Sequence, residues 1–332
     1  MKLFMGMALA LMLSSAAAAQ PSYGPQLEGF AYPYPIQRFA FTSQGQALSM
    51  GYLDVAPARP NGRTAVLLHG KNFCAATWEA TIAALTDAGF RVIAPDQIGF
   101  CASSKPQGYQ FSFDQLAANT HELLQARGVE RAVVIGHSMG GMLAARYALA
   151  YPATVEKLVL VNPIGLEDWR AEGVPYATID QLFAAEQKTS FDSIKAYQQR
   201  FYYNGAWKPE YDRWASMLAG MYAGPGGKAV AWNQAQTSDM VFTQPVLHEF
   251  GKIASPTLLL IGGKDRTAPG ANRAPKAVAD RLGDYPELGR RAARAIPQAD
   301  LVELPDLGHS PQVEAPRRFH AALLAGLGAK AR

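Results

Sequence analysis

The chain has 332 residues, with 31 lysines and arginines against 27 aspartates and glutamates, a net charge of +4 and a hydrophobic fraction of 49%. The charge is mild, and its densest basic stretch (Arg290, Arg291 and Arg294) has helical spacing and reads as a solvated face, so nothing supports nucleic-acid binding. The length and apolar content suit one large soluble α/β domain with an inserted segment.

Residues 1–19 open with Lys2, continue through an apolar stretch from Leu3 to Leu13, and end in Ala16-Ala17-Ala18-Ala19. This order predicts a secretory leader cleaved after Ala19. The apolar run is short for a bilayer span, and no cysteine lies nearby to carry a lipid. A periplasmic or secreted protein without a stable membrane anchor is expected. Residues 20–35 then form an N-terminal extension.

Residues 36–42 and 47–54 resemble an antiparallel hairpin turning at Ser43-Gln44-Gly45. Apolar, β-branched runs follow at 64–68, 90–94, 132–135, 157–161, 257–261 and 301–304. Helical patterns near 76–88, 113–127, 142–150 and 313–326 separate or close them. Alternation of this kind predicts a mostly parallel sheet. Between Asn162 and about Gly251 it stops. That stretch is rich in aromatics and holds helical segments such as 179–187 and 191–201, with a break at Gly224-Pro225-Gly226-Gly227. An inserted helical lid is expected, most of its aromatics forming its own core and the rest lining an apolar pocket.

The strand at 132–135 runs into Gly136-His137-Ser138-Met139-Gly140 and then into a helix. A strand that turns so sharply strains the residue at the bend and projects Ser138 above the sheet as a nucleophile. The helix start also aims free N–H groups and a positive dipole end at that space. Serine needs a base to take its proton and a third group to orient that base. Six histidines compete. His121 and His320 lie within helical patterns, His248 ends the lid, His137 points along the wrong direction of the turn, and His69 suits a structural role. His309 lies in the loop after the last strand, where ligand-binding loops of such sheets gather, and is assigned as the base. The acid is Asp265, in Gly262-Gly263-Lys264-Asp265 after the penultimate strand, with Glu167 and Asp168 as rivals. Asp96 and Asp306 read as loop braces. An oxyanion hole needs two preorganised N–H donors: the amide of Met139, and one from the loop His69-Gly70-Lys71-Asn72, for which Lys71 is chosen and Asn72 is the side-chain alternative.

Together the elbow at 136–140, the His69-Gly70 loop, Asp265 and His309 resemble the α/β-hydrolase superfamily, and the order Ser, Asp, His matches it. The resemblance covers essentially all of the chain after the leader. It implies a mostly parallel eight-stranded sheet flanked by helices, its core divided into 36–162 and 251–332 by a helical cap at 163–250. Asp96-Gln97-Ile98-Gly99-Phe100-Cys101-Ala102-Ser103 looks like the family's D-x-x-G-x-G-x-S loop, with Cys101 where the second glycine stands. In the family's strand order the loops carrying Cys74 and Cys101 leave neighbouring strands, so the resemblance implies a disulfide between them in an oxidising compartment.

The function implied is acyl transfer from a small, partly apolar carboxylic ester to water, through an acyl-enzyme on Ser138. Serine at the elbow argues against the haloalkane dehalogenases and epoxide hydrolases, which carry aspartate there. No histidine–carboxylate cluster has metal-ligand spacing, so neither metal nor cofactor is expected. Three rivals stay open. One is an aminopeptidase of the proline-iminopeptidase type with Glu167 or Asp168 on the substrate amine. The second is a carbon–carbon bond hydrolase or perhydrolase. The third is a non-enzymatic binding protein on the same fold.

Overall fold

The computed structural model describes residues 21–329; the expected leader lies outside them. Eight strands form one sheet: β1 (Ile36–Ser43), β2 (Gln46–Val55), β3 (Thr64–Leu68), β4 (Arg91–Pro95), β5 (Ala132–His137), β6 (Val155–Val161), β7 (Thr257–Gly262) and β8 (Ala299–Leu304). Their spatial order is β1-β2-β4-β3-β5-β6-β7-β8. Only β2 runs against its neighbours, pairing antiparallel with β1 and β4, and every other neighbouring pair is parallel.

The strands from β3 onward carry apolar residues on both faces because helices cover both. In β3, Val66 and Leu68 enter one core while Ala65 and Leu67 enter the other. In β7, Leu259 and Ile261 face the first core and Leu258 and Leu260 the second. Period-two geometry divides each strand this way. The first covering helices are α1 (Glu79–Asp87), α2 (Phe113–Ala126) and α3 (Met139–Ala150). Helix α3 begins at Met139 rather than at the expected Met142, because Gly140 and Gly141 of the elbow belong to its first turn.

Between β6 and β7 the chain forms α4 (Ile179–Glu186), α5 (Phe191–Phe201), α6 (Asp212–Ala223) and α7 (Gly227–Thr243), with no strand among the described residues there. Thr178 with Gln181, and Ser190 with Ser193, make reciprocal capping boxes that start α4 and α5. The remaining helices are α8 (Lys276–Ala279), α9 (Tyr285–Ala295), α10 (Pro311–Glu314) and α11 (Pro316–Gly326). The closing helix expected near 313–326 is thus split in two at Ala315, since Pro316 lacks the N–H needed to continue the ladder of α10. In α9, Arg290 pairs with Glu303 and Arg294 with Glu287, all substantially exposed, as a solvated face requires.

The segment before β1 ties the insertion to the core. The Tyr23 amide donates to the Gly220 carbonyl of α6 at 2.8 Å, and the Tyr32 hydroxyl donates to Asp96 Oδ2 at 2.5 Å.

Candidate active site

Ser138 caps the N-terminus of α3 with φ 58° and ψ −122°, a conformation that costs a non-glycine residue energy. Its neighbours must be small. A Cβ on Gly136 would come within 2.0 Å of the Gly140 carbonyl oxygen, and one on Gly140 within 2.1 Å of the Leu68 carbonyl oxygen. The bend is held by two bonds to the Ser138 carbonyl, from the amides of Gly141 at 2.9 Å and Ile164 at 3.2 Å.

The three side chains chosen from the sequence meet. Asp265 Oδ2 lies 2.6 Å from His309 Nδ1, and His309 Nε2 lies 2.9 Å from Ser138 Oγ. Asp265 and His309 are fully buried, and Ser138 retains 4% exposure. With Nδ1–H donating to the carboxylate, Nε2 is left to accept the serine proton. Burial strengthens each of these bonds, since water cannot compete for them.

Further groups fix the relay. The Thr267 amide donates to Asp265 Oδ1 at 2.8 Å, and the Asn162 side-chain amide donates to Asp265 Oδ2 at 2.9 Å. Asn162 also accepts from the Gly262 amide at 2.9 Å. It follows β6 directly with φ 37°, a left-handed position that asparagine tolerates better than most residues. Sequence reasoning missed this residue, whose only local signal is an asparagine at a strand end. Tyr202, just past α5, accepts the His309 backbone N–H through its carbonyl and lays its ring 4.4 Å from the imidazole.

The other histidines are occupied elsewhere. His137 Nε2 donates to the His309 carbonyl at 2.8 Å, and burial together with the nearby His309 holds its pKa well below the usual value. His69 donates from Nδ1 to the Gly70 carbonyl and accepts the Gln97 amide at Nε2. His121 stacks on Tyr151, His248 pairs with Asp168, and His320 meets Thr81. The bracing assigned to Asp96 is visible: it accepts from the amides of Ala75 and Ala102. Asp306 pairs with Arg318 on the surface.

The backbone at Gly70 lies against Ser138: a Cβ there would come 2.9 Å from Ser138 Cβ. Lys71 follows it, and among the described residues neither its amide nor that of Met139 meets an intramolecular acceptor. The Asn72 side chain is engaged, donating to the Tyr202 hydroxyl at 2.9 Å.

Ser138 lines a cavity of about 400 Å³ beneath the insertion. Of the many aromatics in residues 163–250, Tyr197, Tyr202, Tyr222 and Phe242 reach it. Glu167 and Asp168 do not line it. Glu167 is buried, accepting from the Trp169 ring N–H and the Gly283 amide, and desolvation raises its pKa.

Cys74 and Cys101 form a disulfide-compatible pair with Cα atoms 6.0 Å apart. Cys101 has φ 42°. This explains the glycine of the similar loops: the position is left-handed, and cysteine holds it at a cost in strain.

Residues 65–316 match the alpha/beta hydrolase fold family. The chain belongs to that family. Over 234 residues it is 30% identical to a Psychrobacter immobilis protein named Lipase 1, covering 68% of this chain and 65% of the lipase, so the match spans just under two thirds of that relative. A 2-hydroxy-6-oxo-6-phenylhexa-2,4-dienoate hydrolase of Comamonas testosteroni is 32% identical over 146 residues, 43% of this chain and 51% of that one. The crystal structure of a probable hydrolytic enzyme from Pseudomonas aeruginosa PAO1 has a TM-score of 0.92 at 63% identity, covering 93% of this chain and 99% of that one. Among the described residues, no helix is long and apolar enough to cross a membrane.

Proposed function

We propose that this hydrolase cleaves the carboxylic ester of a small, partly apolar molecule through an acyl-enzyme. The observation that carries this reading is the relay from Asp265 through His309 to Ser138, opening on a cavity lined by both apolar and polar side chains. In the first step His309 Nε2 takes the Ser138 proton as Oγ attacks the ester carbonyl. The carbonyl oxygen becomes an oxyanion held by the Met139 and Lys71 amides. The imidazolium then gives its proton to the departing alcohol, and the acyl group stays on Oγ. Water enters, loses a proton to His309 and attacks the acyl carbon. Ser138 recovers its proton, and a carboxylic acid leaves.

The same groups would serve carbon–carbon bond cleavage, the reading favoured by the Comamonas relative. An aminopeptidase draws less support, because Glu167 and Asp168 stand outside the cavity. We also propose that residues 163–250 act as a cap and that the protein is exported. The leader pattern and the disulfide-compatible cysteines support export.

The test is a panel of esters of increasing acyl length, lactones, amides and vinylogous diketones, with wild type beside Ser138→Ala. Ester turnover is expected to fall by on the order of 10³-fold or more in the variant. Diketone cleavage without ester cleavage would favour the second reading. A wild type unlabelled by a fluorophosphonate probe would point to a binding protein.

A further inference from the structure

Four polar side chains that the relay does not use meet in the cavity wall. Lys71 Nζ donates to Glu186 Oε1 at 2.7 Å, and the Tyr222 hydroxyl donates to Glu186 Oε2 at 2.5 Å. Ser238 Oγ stands 3.5 Å from Glu186 Oε1. The four come from the loop after β3 and from α4, α6 and α7, and all line the cavity that Ser138 lines. The charged pair is largely withdrawn from water, with 19% side-chain exposure on Lys71 and 16% on Glu186. Burial and the adjoining Glu186 carboxylate push the Tyr222 phenol well above its ordinary pKa, so it stays protonated.

Withdrawing two charges from water is costly, and their attraction offsets that cost only in good geometry. A pocket built solely for a plain hydrocarbon chain gains nothing from such a pair. Its donor count is also uneven. Both Glu186 oxygens are engaged, whereas the Lys71 ammonium has three N–H groups and, among the described residues, spends one of them. Glu186 further neutralises Lys71. A substrate carboxylate brought to the ammonium would meet the Glu186 carboxylate as well, but a neutral carbonyl oxygen would accept the spare N–H groups without that repulsion.

Resting on the acyl-transfer reading, we infer that Lys71 Nζ, fixed by Glu186, is a specificity determinant that receives a second, uncharged carbonyl oxygen on the acyl chain of the substrate. The acyl side follows from position: the Lys71 amide is assigned to the oxyanion at the acyl carbon, and the side chain of the same residue extends from there into the cavity. The preferred substrates are oxo-acyl esters rather than simple alkanoates.

The test compares 4-nitrophenyl 4-oxopentanoate and 5-oxohexanoate with the pentanoate and hexanoate, after subtraction of spontaneous hydrolysis. Wild type is expected to favour the oxo esters in kcat/KM by about tenfold or more, the scale of a hydrogen bond to a charged group. Lys71→Met, which keeps the backbone amide, should bring the ratio of oxo to plain esters to about one, whatever it does to the two rates themselves. Glu186→Gln provides a second arm: it should retain the oxo preference and raise kcat/KM for the 4-nitrophenyl monoester of glutaric acid, whose carboxylate no longer meets a like charge. Equal rates for oxo and plain esters in wild type, or an unchanged ratio in Lys71→Met, would overturn the inference and leave the hydrolase reading standing. Should Lys71→Met not fold, absence of any gain on the glutarate monoester in Glu186→Gln would overturn it. Failure of wild type on every ester would remove the acyl-transfer reading and this inference with it.

Discussion

The carbonyl of Tyr202 accepts the backbone N–H of His309 at 2.9 Å. One residue of the insertion thus holds the loop that carries His309, and its hydroxyl receives the side chain of Asn72 from the loop beside Ser138. The insertion is therefore coupled to the relay as well as roofing the cavity. Tyr202→Phe removes only the Asn72 bond and should lower kcat a few-fold, with a stability loss of about 1 kcal/mol. Tyr202→Ala also strips the ring from the imidazole and should cost about 3 kcal/mol or more, with a larger fall in kcat. Urea unfolding alongside ester kinetics separates the two effects, and equal kcat in both variants would contradict the coupling.

Asn162 donates to the same Asp265 oxygen that His309 meets. Replacement by alanine removes a donor to a buried carboxylate and leaves a non-glycine, non-asparagine residue at φ 37°. A loss of about 2–3 kcal/mol in stability is expected. Asn162→Asp instead sets a second carboxylate against the first. The two cannot both ionise, so where they share a proton the protonated carboxyl still donates to Asp265, and turnover should exceed that of the alanine variant at the acid end of the range and fall more steeply as pH rises. A pH profile parallel to that of the wild type would show that Asn162 does not position Asp265.

The cysteine pair spans 27 residues of sequence. In the chain-entropy account, a loop of that size stabilises the fold by about 3–4 kcal/mol. Part is offset by the left-handed backbone at Cys101. Cys74→Ser with Cys101→Gly should therefore be more stable than Cys74→Ser with Cys101→Ser by about 1 kcal/mol, because glycine adopts that φ freely. Thermal melts of both double variants, with the reduced and oxidised wild type, decide it. A serine variant that equals the glycine one would show that the position carries no strain.

Burial lowers the His320 pKa from 6.5 to about 4. Between those values the unfolded chain binds a proton that the folded chain rejects, so stability falls as pH drops from 6.5 toward 4 and this contribution levels off below. His69 and His137, also pushed down by burial, act in the same direction. His320→Asn, on α11 and away from the cavity, should reduce the slope of unfolding free energy against pH by up to about 1.4 kcal/mol per unit in that window. Superimposable wild-type and variant profiles would show that His320 titrates normally in the fold.

Local pattern was enough to read the parts of this protein that neighbouring residues specify. Strand, strained serine and helix at 132–150 were legible because the strand, the bend and the helix start follow one another directly in sequence. Of the two flanking glycines, Gly136 answers contacts within the bend and its helix, whereas Gly140 makes room for the Leu68 and His69 carbonyls of the neighbouring strand and the loop it enters. The eight strands and the interruption after Asn162 were legible because period-two and helical patterns are properties of short stretches. His309 and Asp265 could be nominated since each follows a strand at the sheet edge where such loops gather. Packing alone selected the side chains that serve them. Asn162 lies 103 residues from Asp265, and Lys71 lies 115 residues from Glu186. The left-handed backbone at Cys101 likewise has no signature in composition. Hydrogen bonds between elements so far apart along the chain are set by how helices and strands stack in space, a relation that local periodicity does not carry.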